Sequence, residues 1–190
     1  MVDLNNLGFS LVEIVTQTYV VQGRCGGLTE YQRLVDLLNN ADYTHLQIFA
    51  PKIRPFSEST HMEVRGNHLF LDKMRIFFAV TLESAEEASR RETLHRLDRV
   101  EKDRHEVLVF ASPFRIEGYA YVVKGADPTI ALPKLFHSFV AITGAKAVHQ
   151  DNPELVWERE FVVVNGRCIE MVCSLAAKEQ PRTELPKRAA

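Results

Sequence analysis

Apolar and polar residues alternate with a period of two through most of this chain, and two long stretches carry the same pattern in the same order. Residues 11–24, LVEIVTQTYVVQGR, lie over residues 106–119, EVLVFASPFRIEGY, with Gly23 on Gly118 and no gap, an offset of 95. Residues 69–80, LFLDKMRIFFAV, lie over residues 162–173, VVVNGRCIEMVC, at an offset of 93, so the lost residues fall in the loops between. β-Branched and aromatic side chains fill these stretches, which selects strand over helix. A shared order of apolar pattern and turn positions, at low identity, points to a duplicated unit. The expected fold class is therefore α+β and strand-dominated. It comprises two pseudo-repeats, each a small antiparallel barrel-like sheet of about four or five strands with one helix, joined by a charged helix. The boundaries read as 10–82 and 106–176 for the repeats, with a charged connecting helix at 83–105. Residues 177–190, with two prolines, mixed charge and almost no large apolar residue, read as a disordered tail.

Within the first repeat, Gly26-Gly27 breaks a strand, and Thr29 with Gln32 forms a capping box, since each side chain can satisfy an open amide at a helix start. Tyr31, Leu34, Val35 and Leu38 then make one apolar stripe, and Asn39-Asn40 ends it. His45 to Phe56 alternates until Pro51 and Pro55, which restrict it to an edge or the end of a strand. In the second repeat, Pro133 in LPKLFHSF is expected in the first turn of a short helix. Asn165-Gly166 between two apolar runs predicts a two-residue hairpin turn, which Asp72-Lys73 inherits by alignment. Between the repeats, Ser84 with Glu87 caps a densely charged segment whose apolar stripe is Ala85, Ala88, Leu94, Leu97 and Val100. That spacing predicts a helix of about four turns reaching residue 104.

Composition narrows the function classes. With 46% hydrophobic and 25% charged residues the chain has the makings of an ordinary globular core. A formal net charge of −2 offers no electrostatic footprint for nucleic acid or anionic lipid. Gly8 to Ile14, GFSLVEI, resembles the start of a type IV pilin, but Thr16, Gln17 and Thr18 follow where an apolar run of roughly 20 residues would be needed. No membrane association is expected. Three cysteines, Cys25, Cys168 and Cys173, make an odd count without zinc-ribbon spacing, which reads as reduced thiols in a cytoplasmic protein.

Candidate chemistry is sparse. Seven histidines are scattered with no HxH or HExxH spacing, so no metal site and no cofactor are expected; His61 with His68 is the nearest to a pair. Cys25, ahead of a helix start, suits either an activated thiol or a buried inert one, and the second reading is preferred. Gly23 to Gly27 suits either a phosphate cradle or a simple turn, and its spacing matches no phosphate-binding motif. Arg33, Asp36 and Asn39 recur at i, i+3 and i+6 opposite Leu34 and Leu38, as a binding surface or as a solvated ion pair beside a cap. No catalytic residue is assigned.

RLVDLLNN, followed by the apolar strand HLQIFAPKI, resembles the R-L-x-D-x-L-N motif of an uncharacterised bacterial family of unknown function. The likeness spans Tyr19 to Val80; the second repeat departs from it, with LPKLFH where the motif should stand. The resemblance implies a bacterial origin and a strand-helix-strands module, and carries no activity. The functional expectation is a non-catalytic cytoplasmic interaction or scaffold protein, since no convergent set of acid, base, nucleophile or ligands is present. A protein partner is expected, with homo-oligomerisation open. The alternative is a small-ligand receptor with its pocket between the repeats.

Overall fold

The computed structural model describes residues 10–27, 33–56, 63–82 and 100–175. Six strands and one helix come from the first half: β1 (Ser10–Thr16), β2 (Tyr19–Cys25), α1 (Leu34–Asn39), β3 (His45–Pro55), β4 (Val64–Arg65), β5 (His68–Asp72) and β6 (Ile76–Thr81). The second half supplies β7 (Lys102–Ala111), β8 (Phe114–Val123), α2 (Pro128–Leu135), β9 (Phe139–His149), β10 (Val156–Asn165) and β11 (Met171–Ser174). Strand dominates, as the alternation predicts. All the strands belong to one open antiparallel sheet, in the order β11-β7-β8-β9-β10-β6-β1-β2-β3-β4, with β5 also on β3. This corrects the expectation of a separate barrel-like sheet in each half. The halves are joined where β6 meets β10, with Ala79 opposite Val163 and Phe78 opposite Val164, so neither strand is left with an open edge along this stretch.

Because the joint lies mid-sheet, the paired stretches of its strands are buried on both faces. Phe78, Val80, Val162 and Val164 enter one apolar cluster, with Leu132 of α2 and Phe136 just past its end. Ala79 and Val163 point into the other, with Leu34, Leu37 and Leu38 of α1. These stretches, Ile76 to Val80 and Phe161 to Val164, therefore read as continuous apolar runs and lose the alternation that marks the outer strands.

The pairings of the first half recur in the second. Val12 lies opposite Gly23 and Val107 opposite Gly118. Arg24 lies opposite Phe49 and Tyr119 opposite Thr143, each just after a register shift at the glycine. Ile14 lies opposite Ala79 and Val109 opposite Val172. The two glycines are needed for room. A Cβ on Gly118 would stand 2.6 Å from Ile142 Cγ2 and 2.8 Å from the Thr143 carbonyl, and one on Gly23 would collide with Ile48 Cγ2. Just beyond each bulge the partner strand takes a left-handed residue, Gly144 at φ 54° and Ala50 at φ 47°. Only alanine carries a Cβ penalty there. Ala50→Gly is therefore expected to raise stability by about 1 kcal/mol, net of the added chain entropy, in urea titration.

Several local expectations are corrected. Pro51 lies inside β3, paired on both sides, because it sits at the bulge opposite Gly23 where the ladder is already interrupted. Asn165-Gly166 does not make a hairpin: β10 pairs with β9 and β6, and β11 with β7. Asn165 has φ −77°, and its side chain accepts from the Arg167 amide to cap a 3-10 turn, Gly166–Cys168. Asp72 caps Lys73–Arg75 in the same way through Met74. Helix α2 begins at Pro128, capped by Asp127, so Pro133 lies within it and not in its first turn. Lys102 to Arg104 belong to β7, which ends the expected charged helix early; residues 83–99 of it lie outside the described residues. The capping box at 29–32 and the tail beyond 175 lie outside them as well. Helix α1 starts at Leu34 behind an extended Arg33 and stops at Asn39.

Candidate functional site

Asp127 and Pro128 set the start of α2, the aspartate accepting from both the amide and the hydroxyl of Thr129. Leu132 and Phe136 then turn into the core. β11, which pairs only with β7 among the described strands, runs alongside as the last strand of the sheet. Between α2 and β11 opens a cavity of about 420 Å³, lined by Leu132, Pro133 and Phe136 from the helix side and by Ile169, Met171 and Val172 from the strand side. Thr129, Glu170 and Ser174 bring the polar groups at its border. Its size falls within the range of ligand pockets, and its lining is chiefly apolar.

The matching place in the first half, between α1 and β6, is filled. β10 occupies the edge of β6, Val163 is 1% exposed, and Phe139 and Phe161 pack against the cluster that holds α1. Asn39 fastens this packing with two hydrogen bonds across the halves. Its Nδ2 donates to the Phe139 carbonyl at 2.8 Å, and the Phe139 amide donates to its Oδ1 at 2.9 Å. At the far side of the joint the buried Asn165 donates to the Ile76 carbonyl at 2.9 Å. The Lys73 ammonium, also buried, donates to the carbonyls of Leu38 and Asn40 at the end of α1. Burial lowers its pKa.

Among the residues singled out from sequence, Arg33 and Asp36 do form a two-pronged pair, Nε to Oδ2 at 2.9 Å and Nη2 to Oδ1 at 3.0 Å. The pair is exposed and worth under about 1 kcal/mol. Asn39 is exposed like them, but both ends of its amide are held by the Phe139 backbone and not by Arg33 or Asp36. The groove was missed because each lining residue, taken singly, reads as core. The available signal was the pairing of equivalents: Met171 stands where the first half has Phe78, and it is 57% exposed where Phe78 is 0%.

The remaining candidates have structural places. His68 meets Phe49 edge-on, and His149 lies tilted against Phe56, meets Phe114 edge-on and accepts from the Asn152 amide. His61 and His95 lie outside the described residues. Cys25 is buried, and burial pushes its thiol up to about 12, the reverse of an activated nucleophile. Cys168 lies in the 3-10 turn, its thiol also raised by burial, whereas Cys173 is exposed on β11. Mass-spectrometric mapping of iodoacetamide labelling at pH 8 is expected to find Cys173 modified first, Cys168 more slowly and Cys25 only after denaturation. No described helix is long and apolar enough to cross a membrane.

Comparison with known proteins leaves these geometric features as the basis for a functional reading: no family model, curated protein or solved structure matches the chain.

Proposed function

We propose that the chain is a non-catalytic interaction protein built by duplication of one strand-strand-helix-strand-strand-strand unit, and that it receives a strand of a partner protein along β11 and the adjoining groove. Support for the duplication lies in the registers: offsets of 93 to 95 carry the pairings of β1, β2, β3, β5 and β6 onto those of β7, β8, β9, β10 and β11. The observation that carries the functional reading is that one groove is occupied by a strand and its counterpart is open. An edge strand whose outer side has no partner among the described residues, beside an apolar cleft, is the arrangement that binds by strand addition, the backbone supplying affinity and the cleft specificity.

Immobilised protein and its Met171→Glu variant, compared for captured proteins by quantitative mass spectrometry, test this reading. A partner retained by the first and lost by the second supports it; identical captured sets contradict it. The volume and apolar lining of the cleft also favour a small-ligand receptor as a second reading. That reading places the pocket inside the second half and not between the halves. It requires a metabolite that raises the melting temperature of the wild-type protein and not that of Leu132→Glu.

A further inference from the structure

We infer that the partner strand is β5 of a second copy of this chain, seated on β11 in the register that β10 holds on β6. The inference rests on the duplicated-unit reading, in which β5 is the counterpart of β10 and β11 that of β6. In the joint within the chain, Val163 lies opposite Ala79 and Val164 opposite Phe78. The corresponding residues are Phe70 and Leu71 on β5, and Val172 and Met171 on β11. Between copies, Phe70 is thus placed opposite Val172 and Leu71 opposite Met171.

Exposure singles out the same residues. Phe70 is 67% exposed, although its counterpart Val163 is 1% exposed; Met171 is 57% exposed, although its counterpart Phe78 is fully buried. Both lie on strands with one unpaired side among the described residues, since β5 pairs with β3 and β11 with β7. Val172 and Met171 line the cleft beside α2, so a phenylalanine opposite Val172 points into it, as Val163 points toward α1. The contact joins two different surfaces, head to tail, so it either closes into a ring of copies or extends as a filament.

The two joints differ at their margins in ways that set the strength of the contact. Pro133 stands where Asn39 stands in the first half, so the amide clasp on the neighbouring backbone is missing. One residue beyond the last pair, the register brings Asp72 beside Glu170, two carboxylates. Like charges in that arrangement oppose pairing. Association is therefore reversible, and Glu170→Lys, at an exposed position, converts the repulsion into an attraction.

Sedimentation velocity of the purified full-length protein from 1 to 200 µM tests the contact, with circular dichroism on each variant to confirm that it is folded. Wild-type protein is expected to shift from monomer to larger species across this range. Phe70→Asp is expected to remain monomeric with an unchanged melting temperature, and Glu170→Lys to associate at concentrations at least fivefold lower. A wild-type chain monomeric throughout, or association unaffected by Phe70→Asp, overturns the inference. If the wild-type chain stays monomeric while capture of other proteins still depends on Met171, only the self-pairing fails. Loss of that dependence brings down the interaction reading itself.

Discussion

Phe114→Ala is expected to cost about 3–5 kcal/mol and to destabilise both halves in a single transition. The ring of Phe114 is fully buried where the halves meet. It packs edge-on against Phe56, Phe77 and Phe78 of the first half and against His149 and Trp157 of the second, at centroid separations from 5.2 to 5.9 Å. Truncation removes these contacts and leaves a cavity that the surrounding β-strands cannot close, since they are fixed by ladders on both sides. Urea unfolding followed by the fluorescence of Trp157, in the second half, and by far-ultraviolet circular dichroism, which averages over both, is expected to give coincident curves for wild type and variant. Separate curves for the two probes would mean that the halves unfold independently.

The second large effect is at Gly166. A Cβ there would fall on the Phe136 carbonyl oxygen and come within 2.5 Å of that of Ser138. Both are backbone atoms at the end of α2, so relief requires moving the helix or the turn. Gly166→Ala is expected to destabilise by about 2–3 kcal/mol, an overpacking cost and not a conformational one. The first half provides the contrast. Lys73 takes the equivalent place, its amide bonding the Thr44 carbonyl as that of Gly166 bonds Ser138, and its side chain has space to reach the end of α1. Lys73→Gly should fold, with a smaller loss, measurable in the same titration.

The legible part of this fold is its local chemistry. Alternation marks the strands because each outer strand buries one face, and Gly23 and Gly118 stand out because the chain crosses itself too closely there for a Cβ. The joint was not legible: pairing between β6 and β10 joins residues whose local pattern matches equally well the closure of each half upon itself. Asn165-Gly166 misled for the same reason. A dipeptide suited to a hairpin serves equally as a cap on a 3-10 turn when its two strands have partners elsewhere. Asn39 is a surface residue on a helix, as it looked, and only its hydrogen bond to Phe139, 100 residues along, identifies it as a clasp as well. Ala126-Asp127-Pro128-Thr129 was a readable helix start that Pro133 drew attention away from. The recurrence of the strand pairings made the open groove visible, because the filled groove gives its dimensions and the register of what belongs in it.

One sheet runs through both halves by way of β6 and β10. Isotope-edited nuclear Overhauser spectroscopy on the full-length chain tests it at the atoms concerned. Cross-strand contacts between the backbone protons of Ala79 and Val163, and of Phe78 and Val164, are expected alongside those between Val12 and Gly23 and between Val107 and Gly118. A spectrum that keeps the contacts within each half and lacks those between Ala79 and Val163 and between Phe78 and Val164 would mean that the two halves do not share one sheet.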